Sequence, residues 1–146
     1  MLVPHRLYEG ICLKQMGHEE EAFACLRFVC DYPQDSFSDM HLPELPCYKA
    51  MAHRQLGQEA AAIGYAARHY QKWEKARKTR DPGFFKTTPF FISFLEDAPT
   101  MRTWACNYHC GFALKNLQGK KQESKRLLAE SDPANLYATL MAKFDL

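Results

Sequence analysis

The chain repeats itself. Residues 10–17 read GICLKQMG, residues 50–57 read AMAHRQLG and residues 111–119 read GFALKNLQG. Each copy holds a small residue, an apolar residue, a cation, an amide, another apolar residue and a closing Gly. A further small residue follows five places after each Gly: Ala22, Ala62 and Ser124. Such repetition constrains the fold more than any other feature, because a repeat unit buries its apolar face only by stacking on a neighbour. Proteins built this way present a surface.

The periodicity between the copies is helical. Leu7, Ile11, Leu13 and Met16 recur at roughly helical spacing, with Pro4 in the first turn. Gly17 stops that helix. Glu19, Glu20 and Glu21 then stand where a helix dipole favours acids, and Ala22, Cys25, Leu26, Val29 and Cys30 form one stripe. Residues 32–42 carry Pro33, Asp35, Ser36 and Ser38 and read as a loop. Pro43 and Pro46 open a helix that Gly57 closes. The next helix spans about 59–78, with Ala62, Ile63, Ala66, His69 and Tyr70 on one face. Asp81, Pro82 and Gly83 make a turn. Residues 84–95 carry five Phe, including Phe84 and Phe94, and read either as an aromatic plug between hairpins or as an exposed docking patch. A fifth helix runs to Leu117, packing through Trp104, Tyr108, Gly111, Phe112 and Leu114. A sixth covers about 120–130. Ser131, Asp132 and Pro133 cap a seventh over 134–144, with Leu136, Tyr137, Leu140, Met141 and Phe144 as its apolar stripe. No stretch alternates as a strand does.

The spacing of these features resembles the tetratricopeptide (TPR) repeat family. That family has a small residue in the first helix, a Gly at the turn seven residues on, and a small residue five further. Gly10, Gly17 and Ala22 match, as do Ala50, Gly57 and Ala62. Gly111, Gly119 and Ser124 match with one extra residue before the turn. The resemblance implies an all-α, right-handed α-solenoid in a single domain, 1–146. Its three helix-turn-helix hairpins lie at about 4–31, 43–79 and 99–130, with an insert at 81–98 and a capping helix at 134–144. The turn glycines are 40 and 62 residues apart, so the copies are separated by inserted chain. The FFISFLED stretch followed by such a hairpin is also similar to C-terminal segments of large uncharacterised bacterial proteins. Some relatives there carry a β-rich, sugar-associated domain upstream.

In that family the first helix of each hairpin lines a concave face. The positions implied here begin with Ile11, Lys14 and Gln15. Met51, Arg54 and Gln55 follow in the second copy, and Tyr108, Phe112, Lys115 and Asn116 in the third. Leu7 and Cys47 extend the set. Three cations then form one row and three amides the next, suiting a peptide with an acidic or carboxylate group and an apolar anchor. Solvated helix positions are the plain alternative. The carboxylate-clamp members place Lys and Asn where Leu7 and Ile11 stand, so that clamp is not expected.

Other constellations are weaker. Cys106, His109 and Cys110 share one helix face at metal-ligand spacing, but no second cluster accompanies them, and core packing is the expected role. No metal or cofactor is expected. Residues 72–80 carry five cations and one acid, which suits the exposed end of a long helix. The formal charge of +2 is too small to imply nucleic acid. No carboxylate pair, nucleophile triad or phosphate loop is readable, and Asp97 and His5 make none. No apolar run approaches the ~18–20 residues that span a bilayer. The six cysteines read as free thiols in a reducing compartment. The expectation is a cytoplasmic, non-enzymatic protein- or peptide-binding scaffold, able to dimerise through exposed repeat ends. The alternative is a helical accessory domain of a larger bacterial sugar-related enzyme. The start at Met1, almost inside a helix, suits a segment of a longer protein.

Overall fold

The computed structural model describes residues 2–78 and 98–144, which are helical with no strand among them. The helices are α1 (Leu2–Gln15), α2 (Glu19–Asp31), α3 (Ser36–His41), α4 (Leu45–Gln55), α5 (Glu59–Lys78), α6 (Ala98–Lys115), α7 (Lys121–Ala129) and α8 (Leu136–Lys143). The chain forms two compact units, Met1–Tyr65 and Ala66–Leu146, whose boundary falls inside α5. The aromatic insert, 84–95 with its five Phe, lies outside the described residues, as does Asp97.

In the first unit α1 packs on α2, and α4 packs on both. The repeated small residue is where α1 and α2 approach. A Cβ on Gly10 would stand 2.9 Å from Leu26 Cγ, inside van der Waals contact. The α2 stripe holds: Ala22, Cys25, Leu26, Val29 and Cys30 are all buried. In α1 the buried residues are Val3, Leu7 and Gly10, whereas Met16 is 70% exposed.

The closing glycines have positive φ, +84° at Gly17 and +74° at Gly57. The Gly17 N–H donates to the Lys14 carbonyl at 3.1 Å, and the His18 N–H to the Leu13 carbonyl at 2.9 Å. Gly57 and Gln58 repeat both bonds to Arg54 and His53, at 3.0 and 2.8 Å. This double bond pattern around a left-handed residue is the Schellman helix stop. The cation just before it lies in the last turn, facing the negative end of the dipole. The recurring cation–amide–apolar–Gly string is therefore first of all a way to end a helix.

One sequence expectation fails in this unit. Residues 32–42 are not all loop: Ser36–His41 is helical. Asp35 accepts from the Ser38 N–H, and the Ser38 hydroxyl reciprocates at the Asp35 backbone, a complete capping box. The polar residues that read as loop punctuation are the start signal of a short helix.

In the second unit α6 packs on α7, and α7 on α8. Trp73, Ala76, Cys106, Cys110, Leu114 and Leu127 make the core cluster. The α5 stripe is Ala62, Ala66, His69, Trp73 and Ala76, while Ile63 is 41% exposed, off the expected face. A Cβ on Gly111 would meet Leu128 Cγ at 2.8 Å and the Leu128 backbone nitrogen at 3.1 Å. The Ser124 hydroxyl donates to the Gly111 carbonyl at 2.7 Å, tying the two small positions of the third copy together.

The end of α7 also corrects the sequence expectation. Ser131 does not start the last helix. Its hydroxyl donates to the Leu128 carbonyl at 2.6 Å, closing α7. Asn135 caps α8 by accepting from the Ala138 N–H at 3.0 Å. α8 buries Ala138 and Met141 and leaves Leu136 and Phe144 exposed, so its buried face is narrower than the expected stripe.

Candidate binding grooves

The ten residues of the expected groove divide sharply. Phe112 is 0% exposed and Asn116 3%, with Tyr108 also buried. Phe112 packs against the Tyr108 and Tyr137 rings, and the Asn116 amide donates to the Phe112 carbonyl at 3.1 Å. These three belong to the core of the second unit, where the helix turns its face inward against α8. Leu7 and Cys47 are likewise fully buried. Ile11, Met51, Arg54 and Gln55 are half-buried, and Gln15 is exposed.

The cations have intramolecular work. The Lys14 ammonium donates to the Gln55 carbonyl, at the C-terminal end of α4. It thus bridges the last turn of one helix to the last turn of the next copy's equivalent helix. Arg54 pairs with Glu59 at 3.1 Å across the Gly57 turn. A double charge reversal at Lys14 and Arg54 would strike these contacts, so it cannot serve as a clean probe of binding. Lys115 lines a cavity in the second unit.

Cys106, His109 and Cys110 are core. Burial pushes the Cys106 thiol up to about 11 and the Cys110 thiol up to about 12, which keeps both protonated and poor as ligands. The His109 ring stacks on Trp73 at 3.8 Å, and its Nδ1 lies 3.2 Å from His69 Nε2, one ring donating to the other. Burial holds both imidazoles neutral. His69 is lowered to about 3, with Lys72 adding to the effect, and His109 is held well below its ordinary value. Among the described residues, no group of three or more His, Cys, Asp or Glu is placed to hold a metal ion. Within 72–78, Arg77 and Lys78 form ion pairs with Glu74, at 2.6 and 3.4 Å. No helix among the described residues is long and apolar enough to cross a membrane. All six cysteines are free.

Two cavities occupy the same repeat position. The first, about 650 Å³, is open to solvent and lies beside the Gly17 turn. Lys14, Glu19, Glu20, Ala22, Phe23 and Leu26 form one side, and Gln55, Leu56 and Gly57 the other. The second, about 250 Å³, is lined by Lys115, Lys121, Ser124 and Lys125, with Met141 and Phe144 opposite. Counted from the turn glycine, Glu19 corresponds to Lys121, Ala22 to Ser124 and Phe23 to Lys125. Each cavity lies between a hairpin's turn and the element that follows it.

No protein-family model matches the chain, and neither does any curated protein or solved structure. The groove-lining residues of the second helices were invisible to a reading fixed on the first helices. A signal did exist at the position six after each turn glycine: Phe23, Ile63 and Lys125. The first two are apolar yet 57% and 41% exposed.

Proposed function

We propose that the chain is a non-enzymatic, TPR-like protein-binding scaffold of the cytoplasm, and that the groove beside the Gly17 turn docks its partner. The observation that supports this is a half-open apolar groove with an acidic rim. Phe23 stands more than half exposed over Leu26 and Leu56, with Glu19 and Glu20 beside it. The nearby cation, Lys14, is occupied by the Gln55 carbonyl. The partner segment therefore carries an apolar anchor flanked by Lys or Arg, the reverse in sign of the acidic peptide implied by a row of cations. Phe23 supplies area at the cost of few rotatable bonds, and the glutamates steer the approach.

The test is a labelled peptide with leucine flanked by lysines, set against its twin with glutamates, read by fluorescence anisotropy. The lysine peptide should bind, more weakly as salt rises. Phe23→Ala should weaken it with little change in Tm, since that side chain is exposed, while Glu19→Gln with Glu20→Gln should weaken it with a small fall in Tm, since the two acids also face the helix dipole in the first turn of α2. Equal binding of the two peptides, or binding indifferent to these substitutions, would overturn the assignment. Should the groove be filled only by another part of a longer chain, as in the accessory-domain reading, neither peptide will bind.

A further inference from the structure

Met101, Trp104, Ala105 and Tyr108 stand at i, i+3, i+4 and i+7 on α6, which puts them on one face of the helix. That face lines a cavity of about 50 Å³, whose other wall is Asp132 and Asn135 from the chain between α7 and α8. Trp104 is half-buried. Tyr108 is buried and held by the His109 and Phe112 rings, with centroids 5.1 and 6.0 Å away. Among the described residues, the only charged group in the lining is the Asp132 carboxylate. One of its oxygens accepts from the Ala134 N–H at 2.8 Å, an Asx turn that fixes the side chain. The Asn135 side-chain oxygen is fixed in turn by the Ala138 N–H at 3.0 Å. The cation nearest in sequence, Arg102, belongs to the adjacent row of α6, where its charge acts on Cys106. Two aromatic rings, a thioether and one carboxylate thus surround a small cavity.

We propose that this cavity receives a methylated ammonium group, the head of a trimethyllysine side chain or of choline. Aromatic rings attract a cation through their quadrupole, Trp most strongly. Met101 adds a soft, polarisable wall. A bare ammonium is strongly hydrated and holds its water. Methyl groups take away its N–H donors and give it apolar surface, which suits a lining with one carboxylate and no row of acceptors. The size agrees. At ~10–15 Å³ for each water-sized group, the cavity holds about four, matching the nitrogen and three methyl carbons of such a head. The site lies within the second unit and does not rest on the groove beside Gly17, so either can fail alone.

The experiment is calorimetric titration of the whole chain with choline, with Nα-acetyl-trimethyllysine amide, and with a twin of each. The twin of choline carries a tert-butyl group in place of the trimethylammonium, keeping the shape without the charge. The twin of the lysine compound lacks the methyl groups and keeps the charge. At least one methylated ammonium should bind, roughly tenfold more tightly than its twin. Which of the two binds better names the bearer of the group. Trp104→Leu keeps apolar bulk and removes the ring. Asp132→Asn removes the charge and keeps an oxygen for the Ala134 N–H, so its Tm should stay close to that of the parent. Each should weaken binding by about tenfold, and Trp104→Phe should recover part of what leucine loses. Failure of both methylated compounds to bind, twins that bind as well as they do, or binding indifferent to either the Trp104→Leu or the Asp132→Asn change would overturn the proposal. If leucine at 104 prevents folding, the Asp132→Asn and Trp104→Phe titrations decide it.

Discussion

The grooves of the first and third copies are built on one frame and carry opposite charge. In both, a small residue in the first helix lets the second helix approach, a glycine with positive φ turns the chain, and the second helix supplies the lining. The first copy lines its groove with Glu19, Glu20 and Phe23, and the third with Lys121 and Lys125. The inversion extends beyond the grooves. Residues 1–65 hold nine acids against five Lys or Arg, and residues 66–146 hold eight against fourteen. A near-neutral total of +2 conceals this. A repeat keeps its packing positions because stacking demands them, while its solvent-facing positions are free to take either sign.

The hairpins also differ in what lies behind them, and this predicts the largest effect. Against α6, through its His109, sit His69 and Trp73; against α1 sit Cys25 and Leu26. His69 is neutral in the folded protein down to about pH 3, whereas in the unfolded chain it takes a proton below about 6.5. The unfolded state binds more protons across that window. The stability this group contributes is thus complete above about pH 6.5 and is lost as pH falls towards 3. From His69 alone the loss at pH 4 is on the order of 3 kcal/mol, and His109 adds to it. Both tryptophans lie in the second unit, so tryptophan emission reports that unit's acid unfolding, while far-ultraviolet circular dichroism follows the whole chain. His109→Phe keeps an aromatic ring against Trp73 and should shallow the pH dependence by about one proton. An unchanged slope would remove the buried imidazoles as its cause.

The shared frame is tested at the two crossing glycines. Alanine is a better helix former than glycine by ~1 kcal/mol, which opposes any clash. At Gly111 the new Cβ meets the backbone nitrogen of Leu128, which moves only with α7. There the clash wins, and Gly111→Ala should cost ~1–3 kcal/mol by chemical denaturation. At Gly10 the nearest atoms are Leu26 Cγ at 2.9 Å and Cys25 Cβ at 3.1 Å, with no backbone atom among the three nearest, so a rotamer change at Leu26 relieves the tightest contact and a small shift of α2 the other. Gly10→Ala should therefore cost less, within ~1 kcal/mol of neutral. Equal costs would mean that the two hairpins cross with the same tightness, and that the Leu128 backbone yields as readily as the Leu26 side chain.

Much of this frame was legible in the sequence. Gly10, Gly17 and Ala22, with their counterparts, announce crossing, turn and crossing, and α5 has the bounds that its pattern implies. What the sequence hid was the use of each polar residue. The string ending in Gly17 looks alike whether its lysine faces a ligand or the carbonyl of Gln55, because both ask for a cation near a helix end. The buried faces were misread where residues stand on the edge of a stripe: Ile63 and Leu136 are apolar and exposed, while Asn116, expected in the groove, is polar and buried; His69 is buried on the face expected of it, but its partner was not foreseen. Asn116 is satisfied inside by the Phe112 carbonyl, and His69 by the neighbouring imidazole. Such local satisfaction depends on partners that periodicity does not reveal. The opposite sign of the grooves was readable at Glu19 and Lys121, but only once the second helices were compared with one another.

The smallest effect separates the copies at their second small position. Ala22 and Ser124 are equivalent and both buried, yet only the serine has a hydroxyl to donate, at 2.7 Å to the Gly111 carbonyl. That carbonyl lies in the last turns of α6, where helix geometry also directs the amide four residues on, Lys115, towards it. Removing the hydroxyl therefore deletes one neutral hydrogen bond without stranding its acceptor, a loss of ~0.5–1 kcal/mol rather than the larger cost of an orphaned group. Ser124→Ala should lower stability by that amount and leave the third hairpin resembling the first. If stability holds instead, the hydroxyl contributes nothing to the crossing of α6 and α7, and the third hairpin is held by the same small-residue packing as the first.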